Sequence, residues 1–321
     1  MPITLNKDSI NFGNYSISLH PNGIEIDGKF KYASSDIYVR PFQGTISGYT
    51  SGGTIPPNNS TNTIDKFPFS SNANATDVGD LTQARRESAG QSSAESGYTS
   101  GGYGSGNSNV IDKFPFAANG NATDVGDLTQ ARNSLSGTSS SASGYSAGGF
   151  GPLNTVDKFP FAANGNATDV GDLTQSRYGP AGQSSTSSGY ASGGFTTANS
   201  NVIDKFPFSS DANATDVGDL TLARNLVTGQ SSSESGYASG GGTSNVIDKF
   251  PFASNANATD VGDLTQARTG SAGQSSTESG YTSGGSPFLN TIDKFPFAAN
   301  ANATDVGDLT QGRQSSAGQQ I

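Results

Sequence analysis

The sequence predicts an all-β protein, a six-bladed β-propeller of four-stranded blades that follows a short non-repeating segment. The first observation is a motif, DKFPF, that occurs six times, with its Asp at Asp65, Asp112, Asp157, Asp204, Asp248 and Asp293. Successive copies are separated by 47, 45, 47, 44 and 45 residues. A repeat of this length is typical of propellers and solenoids.

The second observation is the composition. Of 321 residues 43 are Gly, only 14% are charged, and runs of helix-forming residues are missing. Such a chain favours short strands and turns over helices. Phe, Tyr, Ile, Val and Leu return at fixed places in every unit, and a disordered low-complexity chain does not keep such a register.

The third observation is the order of segments within each unit. Four predicted strands, such as SAGQSS, GYTSGG, NVIDKFPF and TDVGDLT, are separated by turn-forming stretches. Four strands in a unit of this length form one propeller blade. The Ser- and Gly-rich first strand suits the crowded place next to the axis, so we expect a narrow, polar channel lined partly by Ser and Gln, with no ligand assigned to it.

The unit also resembles a known repeat. A small-residue strand follows an Arg, an aromatic precedes a Gly-Gly doublet, and the third strand is aliphatic and aromatic; in the second unit these positions are Tyr98, Gly101, Gly102, Val110, Phe114 and Phe116. This pattern is similar to the kelch repeat, and the resemblance implies a β-propeller over residues 43–321. The Trp usual in the fourth strand of kelch repeats is absent, and Val125 and Leu128 are expected to fill its layer.

The repeated motifs DKFPF, NATDVGDLT and AGQSS further resemble those of repeat-containing structural proteins of marine tailed bacteriophages. That resemblance implies a place on a virus particle.

Variation in length is confined to one loop of each unit. Between the second Gly of the doublet and the Asp of DKFPF the six units hold 11, 9, 7, 9, 6 and 7 residues, and the rest of each period is a constant 38. The segment after each Arg varies in sequence but not in length. In an up-and-down blade these two connections emerge on the same side, so one face of the disc is predicted to vary while the other stays fixed.

Variable loops on a rigid scaffold are common binding sites. The loops carry apolar groups that solvated loops do not need, and the links between units carry further candidates. The predicted partner-binding residues are Tyr103, Phe150, Leu153, Phe195, Phe288, Leu289, Arg86, Glu87, Tyr178 and Leu226. Neutral drift in exposed loops is the alternative interpretation.

The recurring Asp pair, Asp124 and Asp127 in the second unit, has three interpretations. Acid-base catalysis needs asymmetry between its groups, and this pair recurs with the same neighbours in every unit. Calcium binding stays open, although the spacing of an EF-hand loop is absent. We favour a structural role, in which one Asp accepts turn N–H groups and another pairs with Arg132 or Lys113.

Other chemistry is not indicated. The chain has no Cys and a single histidine, His20, in the turn-like LHPNG, so the usual nucleophile-base arrangements are missing. The sequence predicts no metal, no cofactor and no enzyme activity. NAT sequons such as Asn74–Thr76 recur in all six units and are interpreted as turn chemistry. The net charge of −10 without a basic stripe argues against nucleic acid, and no stretch predicts a signal peptide or membrane insertion.

Residues 1–40 do not repeat and are predicted to be separate from a propeller over 41–321. The stretch SISLHPNGIEIDGKFKY predicts a hairpin around Pro21-Asn22-Gly23, with Ile24, Ile26, Phe30 and Tyr32 on one face. The hairpin is expected either to attach the protein to another chain or to cover a blade.

The C-terminus is predicted to close the ring. Shifted by one repeat, SAGQQI at residues 316–321 aligns with SAGQSS at 271–276, so the last strand would complete the first blade. Gln319 and Ile321 should then lie near residues 44–52, and no open sheet edge would remain.

Together these features predict a non-enzymatic virion structural protein that presents one propeller face to a cell-surface protein or glycan. Other virion proteins would bind residues 1–40, and a homo-oligomer is compatible with this role. The alternatives are a cytoplasmic kelch-type interaction scaffold and a glycan-active enzyme.

Overall fold

The computed structural model describes residues 3–6, 9–12, 15–20, 23–26, 29–33, 43–151 and 153–321. The chain divides into two compact units, residues 1–40 and 41–321. No helix long and apolar enough to cross a bilayer occurs among the described residues.

The first unit contains a five-stranded antiparallel meander. Its strands are β1 (Ile3–Asn6), β2 (Ser9–Phe12), β3 (Tyr15–His20), β4 (Gly23–Ile26) and β5 (Lys29–Ala33). Strands β3 and β4 pair antiparallel, so the predicted hairpin is confirmed but is one part of a larger sheet. The predicted apolar face concerns side chains that lie outside the described part of the chain.

The second unit is a β-propeller of six antiparallel four-stranded sheets, which confirms the predicted architecture. The innermost strands are β11 (Ala89–Ser92), β15 (Ser136–Ser139), β19 (Ala181–Ser184), β23 (Thr228–Ser231), β27 (Ala272–Ser275) and β31 (Ala317–Gln320). The second strands are β6 (Ser47–Ser51), β12 (Ser96–Ser100), β16 (Ser143–Ala147), β20 (Ser188–Ser192), β24 (Ser235–Ser239) and β28 (Ser279–Ser283).

The third strands are β9 (Thr63–Pro68), β13 (Val110–Pro115), β17 (Thr155–Pro160), β21 (Val202–Pro207), β25 (Val246–Pro251) and β29 (Thr291–Pro296). The outermost strands are β10 (Thr76–Asp80), β14 (Thr123–Asp127), β18 (Thr168–Asp172), β22 (Thr215–Asp219), β26 (Thr259–Asp263) and β30 (Thr304–Asp308). A short ribbon of β7 (Thr54–Ile55) and β8 (Asn59–Ser60) lies in the longest loop. Blades 1 to 6 are numbered by their second strands.

The C-terminal strand closes the ring, as predicted. Blade 1 has the strand order β10-β9-β6-β31, and in its inner pair Gln319 lies opposite Tyr49. The carbonyl of Ile321 accepts hydrogen bonds from the N–H groups of Ile46 and Ser47, at 2.7 and 2.9 Å. The last residues of the chain are therefore part of the first blade.

Aromatic side chains fill the space between blades. The ring of Tyr49 in blade 1 lies 5.6 Å from Phe114 and 4.9 Å from Phe116 of blade 2, measured between centroids. Phe114 is 1% exposed, which confirms that it is buried between blades. Burial raises the pKa of Tyr49 to about 12. Leu128 is buried and Val125 packs against the same cluster, so they fill the predicted layer.

The closer aromatic pair recurs at all six junctions, with centroids 4.7 to 4.9 Å apart: Tyr49–Phe116, Tyr98–Phe161, Tyr145–Phe208, Tyr190–Phe252, Tyr237–Phe297 and Tyr281–Phe69. Both Phe residues of DKFPF are therefore fixed by a tyrosine of the preceding blade.

The Asp of DKFPF is fixed by a buried ion pair across each junction. In blade 3 the carboxylate of Asp157 lies 3.1 Å from the guanidinium of Arg132, in the link that follows blade 2, and both side chains are fully buried. The backbone N–H and the hydroxyl of Thr129 also donate to Asp157, at 2.9 and 2.7 Å. Burial lowers the pKa of Arg132, an effect that Asp157 opposes.

The same pair joins the other blades: Arg85–Asp112, Arg177–Asp204, Arg224–Asp248, Arg268–Asp293 and Arg313–Asp65. The last of these connects blade 6 to blade 1.

The channel at the axis is bounded by closely packed backbone. A Cβ placed on Gly90 in β11 would meet the carbonyl oxygen of Gly318 in β31 at 2.1 Å. No side chain fits there, and this explains the Gly in each innermost strand. Ser and Gln residues line the channel together with these glycines, as predicted.

Five innermost strands carry a Gln that connects neighbouring blades. The side-chain amide of Gln91 donates to Ser100 of its own blade at 2.9 Å and to the carbonyl of Tyr145 in the next blade at 3.0 Å. Equivalent bonds to the next blade are made by Gln183, Gln230, Gln274 and Gln319.

Blade 3 is the exception. Thr138 stands at the Gln position and Ala147 at the position of its serine partner. The buried hydroxyl of Thr138 has no hydrogen-bond partner. The junction between blades 3 and 4 therefore lacks the side-chain bridge that the other five junctions have.

Candidate functional site

The two variable segments of each blade meet on one face, which we call the variable face. It comprises the loops 52–62, 101–109, 148–154, 193–201, 240–245 and 284–290 and the links 81–88, 128–135, 173–180, 220–227, 264–271 and 309–316. The residue after each Gly-Gly doublet donates its N–H to the carbonyl of the residue after an Arg, at 2.7 to 3.0 Å. These pairs are Thr54–Gln314, Tyr103–Arg86, Phe150–Asn133, Phe195–Tyr178, Gly242–Asn225 and Ser286–Thr269.

A closed ring of backbone hydrogen bonds surrounds the channel on this face. Six equivalent residues, one in each link, have φ between 52° and 65°. The N–H of each donates to the carbonyl of the equivalent residue in the neighbouring link, at 2.5 to 3.1 Å. The ring consists of Glu87, Ser134, Gly179, Leu226, Gly270 and Ser315.

Four of these residues are not glycine, although left-handed backbone is uncommon for other residues. The ring borders a depression of about 80 Å³ at the end of the channel. Glu87 and Leu226, both predicted site residues, line it. Because backbone groups make the ring, the side chains around the depression are free to differ.

Three predicted site residues form a cluster that we call the aromatic patch: Phe150, Tyr178 and Phe195. The ring centroids of Phe150 and Tyr178 are 5.3 Å apart in an edge-to-face arrangement. Those of Tyr178 and Phe195 are also 5.3 Å apart, with a tilt of 34°. Phe150 is 56% exposed and the other two rings are half-buried. The patch spans the junction between blades 3 and 4.

A second group lies at the junction between blades 1 and 2. The guanidinium of Arg86 lies 5.1 Å from the ring centroid of Tyr103 and 3.8 Å from the carboxylate of Glu87. Such exposed pairs contribute little to stability. Asn107, which bridges to Tyr103, accepts a side-chain hydrogen bond of 2.7 Å from Asn133. Asn133 in turn binds the backbone of Phe150, so this group is continuous with the aromatic patch.

The remaining predicted residues have other surroundings. The carbonyl of Leu153 accepts the N–H of Arg177, and the carbonyl of Leu289 accepts that of Arg313. Both leucines are half-buried, and their backbones hold an arginine of the ion-pair layer. Phe288 has a φ of 59° and lies in the loop of blade 6, two blades away from the patch.

The recurring Asp and Asn residues have structural partners. Asp124 accepts the N–H of Gly126 at 3.1 Å, which confirms the turn role. The sequon residue Asn121 accepts the N–H of Asp80 in the preceding blade, also at 3.1 Å. No group of three or more His, Cys, Asp or Glu side chains that could hold a metal ion occurs in the described part of the chain.

Two features were not anticipated from the sequence: the closed hydrogen-bonded ring and the missing bridge at Thr138. The ring depends on backbone dihedral angles, which the varied residues at its positions do not indicate. The second feature was visible in the sequence as SGTSS in place of AGQSS. That this change removes a contact between blades could be recognised only once the position of the partner carbonyl was known.

A comparison with models of known protein families found no match, and a search of curated proteins found no similar sequence. The function is therefore inferred from the variable face itself.

Proposed function

We propose that this protein is a non-enzymatic binding scaffold of a virus particle, whose variable face binds a partner on a cell surface. The observation that carries the proposal is the separation of roles within each blade. The aromatic pairs and ion pairs that cross the blade junctions recur in every copy, whereas loop length and apolar loop residues vary on one face.

The backbone pairing on the variable face supports this function. A main-chain hydrogen bond joins the two variable segments in all six blades, whether the paired residues are Phe and Tyr or Gly and Asn. Side chains there can change without loss of the scaffold, and this is the condition under which a binding surface can diversify.

The roles of the Asp residues support a non-enzymatic protein. Asp157 is held by Arg132 and Thr129, and Asp124 by its own turn. Their equivalents repeat these contacts around the ring. An acid-base pair requires two carboxyl groups in different environments, and the repeats supply the same environment six times.

The place on a virus particle rests on the resemblance to repeat-containing structural proteins of tailed bacteriophages. The five-stranded unit at residues 1–40 is a compact unit distinct from the propeller, and we assign it the attachment to the particle. A cytoplasmic kelch-type scaffold would use the same face for an intracellular protein.

The test has two parts. Purified particles are examined by mass spectrometry for the chain, and the labelled full-length protein is incubated with a panel of bacterial cells. The proposal expects the chain in particles, together with saturable cell binding that the triple variant Phe150→Thr, Tyr178→Gln, Phe195→Ser loses. A chain found only in the cytoplasm of infected cells, or cell binding that the variant retains, would reject it.

A further inference from the structure

The aromatic patch is additional to what the fold requires, as the repeats themselves show. At the positions equivalent to Phe150 and Phe195, blade 2 has Tyr103, whereas blades 1, 5 and 6 have Thr54, Gly242 and Ser286, all with the same backbone hydrogen bond. A blade therefore forms equally well with a hydroxyl or with no side chain there. The three rings are gathered on two adjacent blades without a structural need for them.

The segments that carry the patch have no charged side chains. The loops 149–155 and 194–201 read GFGPLNT and GFTTANSN, and the links beside them contribute NSL and YGP. Amide and hydroxyl groups thus surround the rings, and neither a Lys nor an Arg is present in these segments. The net charge of the chain is −10, so a strongly anionic ligand would be repelled.

The apolar area is also small. Phe150 is more than half exposed, but Tyr178 and Phe195 are half-buried, and no other large apolar side chain among the described residues of these segments is mostly exposed. A stable protein interface buries about 800 Å² on each partner around an apolar core. A few aromatic rings within a rim of Asn, Thr and Ser match a smaller ligand that has both C–H and O–H groups.

We propose that the aromatic patch binds neutral saccharides, with the C–H faces of uncharged pyranose rings packed on Phe150, Tyr178 and Phe195. This inference rests on the proposed function and specifies the ligand class of the same face. An aromatic ring presents a negative π face to the polarised C–H groups of a sugar, while the neighbouring amides and hydroxyls suit its O–H groups.

The experiment uses the full-length protein on immobilised oligosaccharides: neutral gluco-, manno- and galacto-oligosaccharides, and acidic ones that contain uronate or sulfate. The patch variants take the residues of other blades, Phe150→Thr and Phe195→Ser, so that folding is preserved. The matched control is Ile46→Ser, because Ile46 is another exposed apolar residue that lies outside the variable face, and Ser187 stands at its equivalent position in blade 4. We expect binding to at least one neutral class, about tenfold weaker in each patch variant and unchanged in the control.

Absence of binding to every neutral oligosaccharide, binding to acidic ones only, or equal binding by the patch variants would overturn the inference. Cell binding separates this result from failure of the proposed function. If mild periodate oxidation of the cells leaves patch-dependent binding intact and protease treatment removes it, the face binds a protein and only the saccharide inference fails. If the patch variants bind cells as well as the unaltered protein does, the proposed function fails as well.

Discussion

On the constant face of the propeller a recurring side chain helps to join neighbouring blades, whereas the segments that vary on the other face are joined through their backbones. On the constant face, the loops between third and fourth strands all hold seven residues, and the Asn of each sequon accepts a backbone N–H of the preceding blade at 3.0 to 3.1 Å. On the variable face, the ring of link residues and the pairs of loop and link residues join one backbone to another.

This difference explains which residues of the repeat vary. A junction made by an Asn side chain requires that Asn, whereas a junction made by N–H and C=O groups accepts almost any residue. The variable face therefore keeps a regular set of backbone hydrogen bonds, although its loop lengths and side chains differ from blade to blade.

The largest effect is expected from removing the strand that closes the ring. Deletion of residues 314–321 removes β31 and exposes the edge of β6 in blade 1, and unpaired edges promote association between chains. We expect a marked fall in the thermal midpoint together with self-association in size-exclusion chromatography. A truncated chain as stable and monodisperse as the full one would contradict the closure.

A buried ion pair should contribute more than an exposed Asp of the same blade. Asp157→Ala leaves Arg132 buried without its partner, and this should cost about 3 to 5 kcal/mol of unfolding free energy. The control is Asp169→Ala, since Asp169 is exposed, accepts a hydrogen bond from Gly171 and acts on Arg132 only through its charge; its cost should be about 1 kcal/mol. Equal losses in chemical denaturation would mean that the pair does not hold the junction.

The protein should become more stable if the missing side-chain bridge is introduced at the junction between blades 3 and 4. The double variant Thr138→Gln, Ala147→Ser introduces the bridge to the carbonyl of Tyr190 that five other junctions have, and should add about 1 kcal/mol. Chemical denaturation of the double variant and of Ala147→Ser alone would measure the gain. A double variant less stable than the unaltered protein would show that this junction has a different shape.

The fold could be predicted largely from the sequence because the residues that recur in every repeat are those that make the contacts between blades. Phe114 and the Asp of each DKFPF recur because every junction needs them, and the C-terminal AGQQ aligns with a strand that the first blade lacks. The ring at Glu87 and Leu226 could not be predicted, since left-handed backbone is usually indicated by Gly or Asn.

The candidate site was only partly predictable. The apolar character of Phe150, Tyr178 and Phe195 indicated a binding surface. That the three rings lie together at one junction depends on which link pairs with which loop, and the sequence does not show this. Leu153 and Leu289 were selected for the same apolar character, whereas the structure shows that their carbonyls hold arginines. Sequence alone does not distinguish an apolar residue whose side chain is exposed for binding from one whose backbone carbonyl stabilises the scaffold.

The most direct test of this account compares a patch variant with a scaffold variant. Phe150→Thr, Tyr178→Gln, Phe195→Ser should cost less than about 2 kcal/mol in total, because exposed substitutions cost little and each aromatic contact is worth about 1 kcal/mol. Phe114→Ala alone should cost about 3 to 5 kcal/mol. Denaturation and cell binding are measured on the same samples. The account predicts that the triple variant keeps its stability and loses binding; a triple variant that unfolds as easily as Phe114→Ala, or that still binds, would contradict it.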